Sequence, residues 1–102
     1  MSTWKRLQTA ETKEIAAELR KKFPQTDAYR YNSAAIRVRV VDSQFKGKSE
    51  TQRERRVLPL IRKFPEEIQA DITLLLMLSP DELDSSLANM EFENPSLPSS
   101  IL

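Results

Sequence analysis

Gly47 is the only glycine in 102 residues, and it falls between two stretches that cannot be joined without a sharp turn. Behind it runs Ile36-Arg37-Val38-Arg39-Val40, whose period of two predicts a strand with one apolar face. Ahead of it, Ser49 and Gln52 have the spacing of a capping box, in which each side chain satisfies a free amide at a helix start. A turn between two such elements favours a residue that reaches positive φ without strain, and glycine is that residue. Strand, tight turn and capped helix are therefore the framework on which the rest of the chain must be arranged.

Prolines divide the remainder. From about Thr9 to Phe23 the residues Ile15, Ala16, Leu19 and Phe23 recur at helical spacing, and Pro24 closes that amphipathic helix. Gln25-Thr26-Asp27 reads as a turn. Ala28 to Tyr31 is a short strand that returns through Asn32-Ser33 into the strand Ala35–Val41. The second helix runs from about Glu50 to Lys63. At 100° per residue it gathers Val57, Leu60, Ile61 and Phe64 on one side, and Arg55, Arg56, Arg62 and Lys63 on the other. Pro59 lies on the basic side, where the lost hydrogen bond can face solvent. Asp71 to Leu78 is apolar on both faces from Ile72 on, which suits a central strand, and the helix before it allows a crossover parallel to Ala35–Val41. Ser79-Pro80-Asp81-Glu82 opens a last helix to about Met90. Residues 1–90 form one domain in this reading, and 91–102 are a tail without periodicity.

The order is α-β-β-α-β-α, an α+β class with a three-stranded mixed sheet and helices packed on one face. Helices on one side cannot cover both faces of a sheet. The face carrying Arg37 and Arg39, with Leu75 and Met77 or their alternates, is left for a partner, a second copy or the tail.

Composition removes much chemistry. The chain has no cysteine and no histidine, so disulfides and the usual donors for zinc, haem and iron–sulfur groups are missing. The same lack removes the commonest general base and the strongest nucleophile. The acidic pairs Glu66-Glu67 and Asp81-Glu82 follow Pro65 and Pro80, where helix starts favour carboxylates without any catalytic role. Lys46-Gly47-Lys48-Ser49 resembles the end of a phosphate-binding loop, but the glycine that should precede it is Asp42. A non-enzymatic protein is expected, with no cofactor. A net charge of +1 means that any attraction to nucleic acid must come from a local patch. That patch is Lys46, Lys48, Arg55, Arg56, Arg62 and Lys63, at a helix start and along its exposed side, where a phosphate or an acidic partner would meet guanidinium groups and free amides. No apolar run is long enough to span a bilayer, and the start shows no signal core; a cytoplasmic location is the expectation.

The residues around Gly47 resemble the BolA family, whose members carry a strand, then F-x-G-K/M-S, a short spacer and an Arg-rich helix start. Phe45, Gly47, Lys48, Ser49, Arg53 and Arg55 stand on that pattern, and the segment 70–82 is similar to the family's last strand and following helix start. The resemblance spans about residues 10–88. It implies a KH-like fold and a role in redox or iron–sulfur regulation with a monothiol glutaredoxin as partner, while some members are described as DNA-binding regulators. The family's nearly invariant histidine falls on Asp71, and a second one falls on Glu54. Carboxylate is a harder ligand than imidazole, so the cluster-sharing role is not expected here, and Asp71 is expected to pair with a nearby arginine. The leading expectation is an adaptor or regulatory module, monomer or homodimer, that binds a protein partner through Lys46, Gly47, Lys48, Ser49, Arg53, Arg55, Arg56, Arg62 and Lys63. The alternative is nucleic-acid binding through the same basic loop and helix, although the GxxG clamp of KH domains is absent.

Overall fold

The computed structural model describes residues 3–96. Its elements are α1 (Ala10–Arg20), β1 (Gln25–Asn32), β2 (Ala35–Val41), α2 (Glu50–Ile61), α3 (Glu66–Asp71), β3 (Ile72–Leu78) and α4 (Leu87–Glu93), with short 3-10 turns at Trp4–Leu7, Ser43–Phe45 and Pro80–Glu82. The strands form one mixed sheet in the order β1-β2-β3, with β1 antiparallel and β3 parallel to β2. This is the expected α+β arrangement. The parallel pair, with Val38 opposite Leu75 and Val41 opposite Leu78, is made possible by the α2–α3 crossover.

Four details differ from the sequence reading. The central strand is β2, not β3; β3 is an edge strand, and its apolar character has another cause, since layers pack on both of its faces. β1 begins at Gln25 rather than Ala28, because Gln25, Thr26 and Asp27 pair with Val41, Val40 and Arg39. Asp71 ends a separate short helix, α3, that starts after Pro65 and carries Glu66 and Glu67 in its first turn. The last helix is broken. A 3-10 turn at Pro80–Glu82 stops short, Ser86 recaps the chain by accepting the Asn89 amide, and α4 continues three residues past Met90. Residues 97–102 of the anticipated tail lie outside the described residues.

On the first face of the sheet, Ala28, Ile36, Val38, Val40 and Met77 pack against Ile15, Ala16 and Leu19 of α1, Val57 and Ile61 of α2, and the rings of Phe23 and Phe45. Alternation along the strands sends Tyr29, Arg37, Arg39, Leu74 and Leu76 to the other face. That face was expected to lack helices. Instead, Trp4 and α4's Phe92 close over Tyr29 in a second apolar cluster, with Leu7, Tyr31, Leu74 and Leu76 around it. The covering segments are tied together where the Thr3 amide donates to the Glu93 carbonyl (3.0 Å) and the Trp4 indole N–H donates to the Glu93 carboxylate (2.8 Å). The tail's first residues thus supply the cover that one layer of helices cannot.

A candidate basic docking face on the glycine turn and α2

The glycine turn is anchored before it is exposed. Asp42 caps the 3-10 turn by accepting the Gln44 amide (2.8 Å), and Phe45 is fully buried against Phe23, ring centroids 5.8 Å apart. Gly47 then takes φ +72°, with nothing within 4 Å of where a Cβ would be, so backbone conformation alone calls for glycine. The capping box expected from Ser49 and Gln52 is formed: Gln52 donates its amide to Ser49 Oγ (3.2 Å), and Ser49 donates its amide to Gln52 Oε1 (2.8 Å).

Arg53 stands apart from the other cations. It is only 7% exposed, and its guanidinium donates to the Lys48 carbonyl (3.1 Å), the Met77 carbonyl (2.8 Å) and both oxygens of Glu82 (2.7 and 3.2 Å). The same group lies over the Phe45 ring, 5.7 Å from its centroid. Arg53 is therefore a clamp joining the glycine turn, the end of β3 and the Pro80–Glu82 turn, and does not belong to the surface set on which it was expected. The helical spacing held the signal, since Arg53 is four residues before Val57 and so continues α2's buried stripe. Glu82 is the other half of the clamp. The hydrogen bonds from Arg53, and then from the Ser79 amide, lower its carboxyl from 4.5 to about 2, which fixes it as a carboxylate rather than a proton donor near neutrality.

Lys46, Gly47, Lys48, Ser49, Arg55, Arg56, Arg62 and Lys63 are all exposed. Arg56 donates to Gln44 Oε1 (2.6 Å), which joins the outer side of α2 to the loop. Arg55 and Arg62 flank Leu58 and Pro59 along a groove of about 240 Å³, with Thr51 and Glu54 on its margin. The outcome is a set of exposed cations carried on one helix and the loop before it, with Glu54 among them. Opposing charge is also present, since Asp81 has its carboxyl lowered by a hydrogen bond from Ser79, with Lys46 adding to the effect.

Asp71 is not part of this surface. It sits at the start of β3, next to the start of β2, whereas the glycine turn follows the end of β2; the length of the strands separates them by roughly 20 Å. Its carboxylate accepts from Arg30 (3.1 Å), as the expected arginine pairing required. Arg30 also holds Glu11 (3.0 Å) and the carbonyl of Ser33 (3.1 Å), so it fixes the β1–β2 turn against α1 and α3.

No protein-family model matches the chain, and no curated protein matches it in sequence. A solved structure does match: BolA1 from Arabidopsis thaliana, at a TM-score of 0.53 and 19% identity, over 72% of this chain and 96% of that one. The fold is BolA-like. At this identity the likeness is one of fold alone. Within that fold, the cluster chemistry implied by the resemblance finds no fitting donor at its expected position. Asp71 is already held by Arg30, and Asn32-Ser33-Ala34 beside it carry neither thiol nor imidazole. No group of three or more potential ligands for a metal ion occurs among the described residues. Likewise, no helix among them is long and apolar enough to cross a membrane.

Proposed function

We propose that this chain is a non-catalytic adaptor or regulatory module, cytoplasmic, that docks a protein partner on the surface of Lys46, Lys48, Arg55, Arg56, Arg62 and Lys63. The observation that carries the reading is the Arg53 clamp, which holds that surface in place with a buried guanidinium while six other cations stay exposed to a partner. A monothiol glutaredoxin is the partner that the sequence resemblance implies, in a redox or iron–sulfur setting but without cluster ligation by this chain. Catalysis has no support. Glu82 is fixed as a carboxylate by Arg53, and Glu66, Glu67 and Asp81 are exposed at helix or turn starts.

Mixing the protein with a cluster-loaded monothiol glutaredoxin tests both halves. Amide shifts should concentrate at 46–49 and along the outer side of α2, and the visible circular dichroism of the cluster should hardly change. No shift at saturating partner would remove the adaptor reading. A new cluster spectrum abolished by Asp71→Ala would restore ligation, whereas one gained by Asp71→His alone would support its loss. The second reading, nucleic-acid binding by the same cations, draws on Arg55 and Arg62 lining one groove. It requires retardation of RNA or duplex DNA that falls steeply with salt and weakens in Arg55→Ala and Arg56→Ala.

A further inference from the structure

The two faces of the sheet are covered by different chemistry. On the first, aliphatic side chains of β2 meet aliphatic side chains of the helices. On the second, the same strand presents Arg37 and Arg39, and α4 meets them with carboxylates and a ring. Arg37 donates to Tyr29 Oη (3.0 Å) and Glu91 (2.9 Å) and lies 3.8 Å from the Tyr31 ring centroid. Arg39 donates to Asn89 (2.8 Å) and to Asp27 of β1 (2.8 Å), is ion-paired with Glu93 (3.1 Å), and sits 4.5 Å from the Phe92 centroid. The arginines are nearly covered while Glu91 and Glu93 keep 39% and 31% of their side-chain surface in solvent, so these half-buried pairs fasten the helix weakly: desolvation of the guanidinium groups offsets part of an attraction that water already screens.

The closure is also incomplete. Arg39 is 7% exposed, yet its Nε has no hydrogen-bond partner. Beside it a cavity of about 400 Å³ remains between the strand ends and α4, lined by Arg39, Asn89 and Glu93 among others. α4 itself has seven residues, too few to be stable without its docking contacts.

We propose that this sheet face is a binding surface for single-stranded nucleic acid and that α4 is its lid. Glu91 and Glu93 occupy the guanidinium groups as phosphates would, and Phe92 lies against Tyr29 and Trp4 as a base would, with centroids 4.8 and 5.9 Å away. When α4 lifts, Arg20 and Arg39 stay paired with Asp27, and Arg37 remains on the open face beside the rings of Tyr29 and Tyr31, with Trp4 at its margin. Positive groups interleaved with aromatic faces on a sheet are the chemistry that holds unpaired bases and their backbone. A phosphate has more acceptor oxygens than a carboxylate and can also reach the Arg39 Nε. The lid lowers apparent affinity by the fraction of molecules in which it is open. This surface is separate from α2, and the inference does not depend on what docks there.

The test uses the full chain and a fluorescein-labelled 12-nucleotide single-stranded RNA of mixed sequence at low salt. Trp4 is the only tryptophan and packs beside the lid, its ring against Phe92 and its indole N–H on Glu93, so its emission reports opening. Replacing both lid carboxylates, Glu91→Gln with Glu93→Gln, should shift Trp4 emission to the red and tighten RNA binding at least tenfold. Adding Arg37→Gln and Arg39→Gln should abolish the gain, while Arg55→Ala with Arg56→Ala should leave it. Hydrogen exchange on the unaltered protein makes the test independent of any variant's folding: saturating RNA should deprotect amides 87–93 and protect those of β2. The proposal is overturned by an opened, cooperatively folded variant that binds RNA no better than the native chain, by a gain lost on changing Arg55 and Arg56, or by α4 protection that RNA leaves unchanged. It is equally overturned if an acidic aromatic peptide binds the opened face and RNA does not.

Discussion

Removing the Arg53 guanidinium should be the most damaging single change to a charged residue in this protein. Arg53→Ala takes away four donor contacts, leaves the Met77 carbonyl without that donor inside the fold, and strands the Glu82 carboxylate. Breaking a buried ion pair from one side costs about 3–5 kcal/mol. Glu82's side chain is 38% exposed and can recover some hydration, which places the expected loss near the lower end, about 3 kcal/mol. With a urea m value of about 1.5 kcal/mol/M for a domain of this size, the unfolding midpoint should fall by about 2 M. Arg55→Ala, two residues on and exposed, should change stability by about 0.5 kcal/mol or less. The pair also has a pH signature. Glu82's carboxyl is lowered from 4.5 to about 2 by its partners in the folded state, so its contribution is complete above about pH 4.5 and disappears as pH falls toward 2. Full desolvation would make that about 3 kcal/mol; screening at 38% exposure reduces it to about 1–2 kcal/mol. Urea melts of the native protein and Glu82→Gln should therefore differ by that amount at neutral pH and converge by about pH 2. Equal effects of Arg53→Ala and Arg55→Ala, or a gap between native and Glu82→Gln that does not close in acid, would refute the clamp.

Gly47→Val should lower stability by about 1–2 kcal/mol through positive-φ strain alone, because a Cβ there would meet nothing, and Gly47→Asn should lose less than half as much in the same thermal melt. Phe45→Ala should cost about 3–5 kcal/mol, since the ring is fully buried against Phe23 and beneath Arg53; a loss under about 1 kcal/mol would mean that the glycine turn is not anchored as described. Asp71→Asn should cost only about 1 kcal/mol, because Arg30 keeps Glu11 and lies partly in solvent, and the loss should shrink in molar salt; a salt-independent loss of several kcal/mol would assign Asp71 a different role.

The parts legible in the sequence were those fixed by neighbours along the chain. A capping box needs only Ser49 and Gln52 three residues apart, and a positive-φ turn needs only Gly47, so both could be read before any fold existed. The alternation around Val38 and the long crossover were enough to place β2 and β3 in parallel. Asp71 could be assigned an arginine on ligand chemistry alone, although not which one.

Harder to separate were residues of one type on different sides of one helix. Arg53 and Arg55 both fit a basic helix start. Two residues turn an α-helix by about 200°, so one faces the sheet and the other faces water; the spacing from Val57 points to Arg53 as the inner one, but what it grips depends on the packing of α2 on β3. The same limit hid the second layer. Apolarity on both faces of β3 was visible, but whether it came from two neighbouring strands or from two covering layers depended on where residues 4–7 and 87–93 fold back, contacts that span about ninety positions. Tertiary structure made β3 an edge strand, turned Arg53 from a surface cation into a clamp, and placed two arginines of β2 beneath the carboxylates of α4. Each of these follows from burial, which is a property of the assembled chain and not of any window within it.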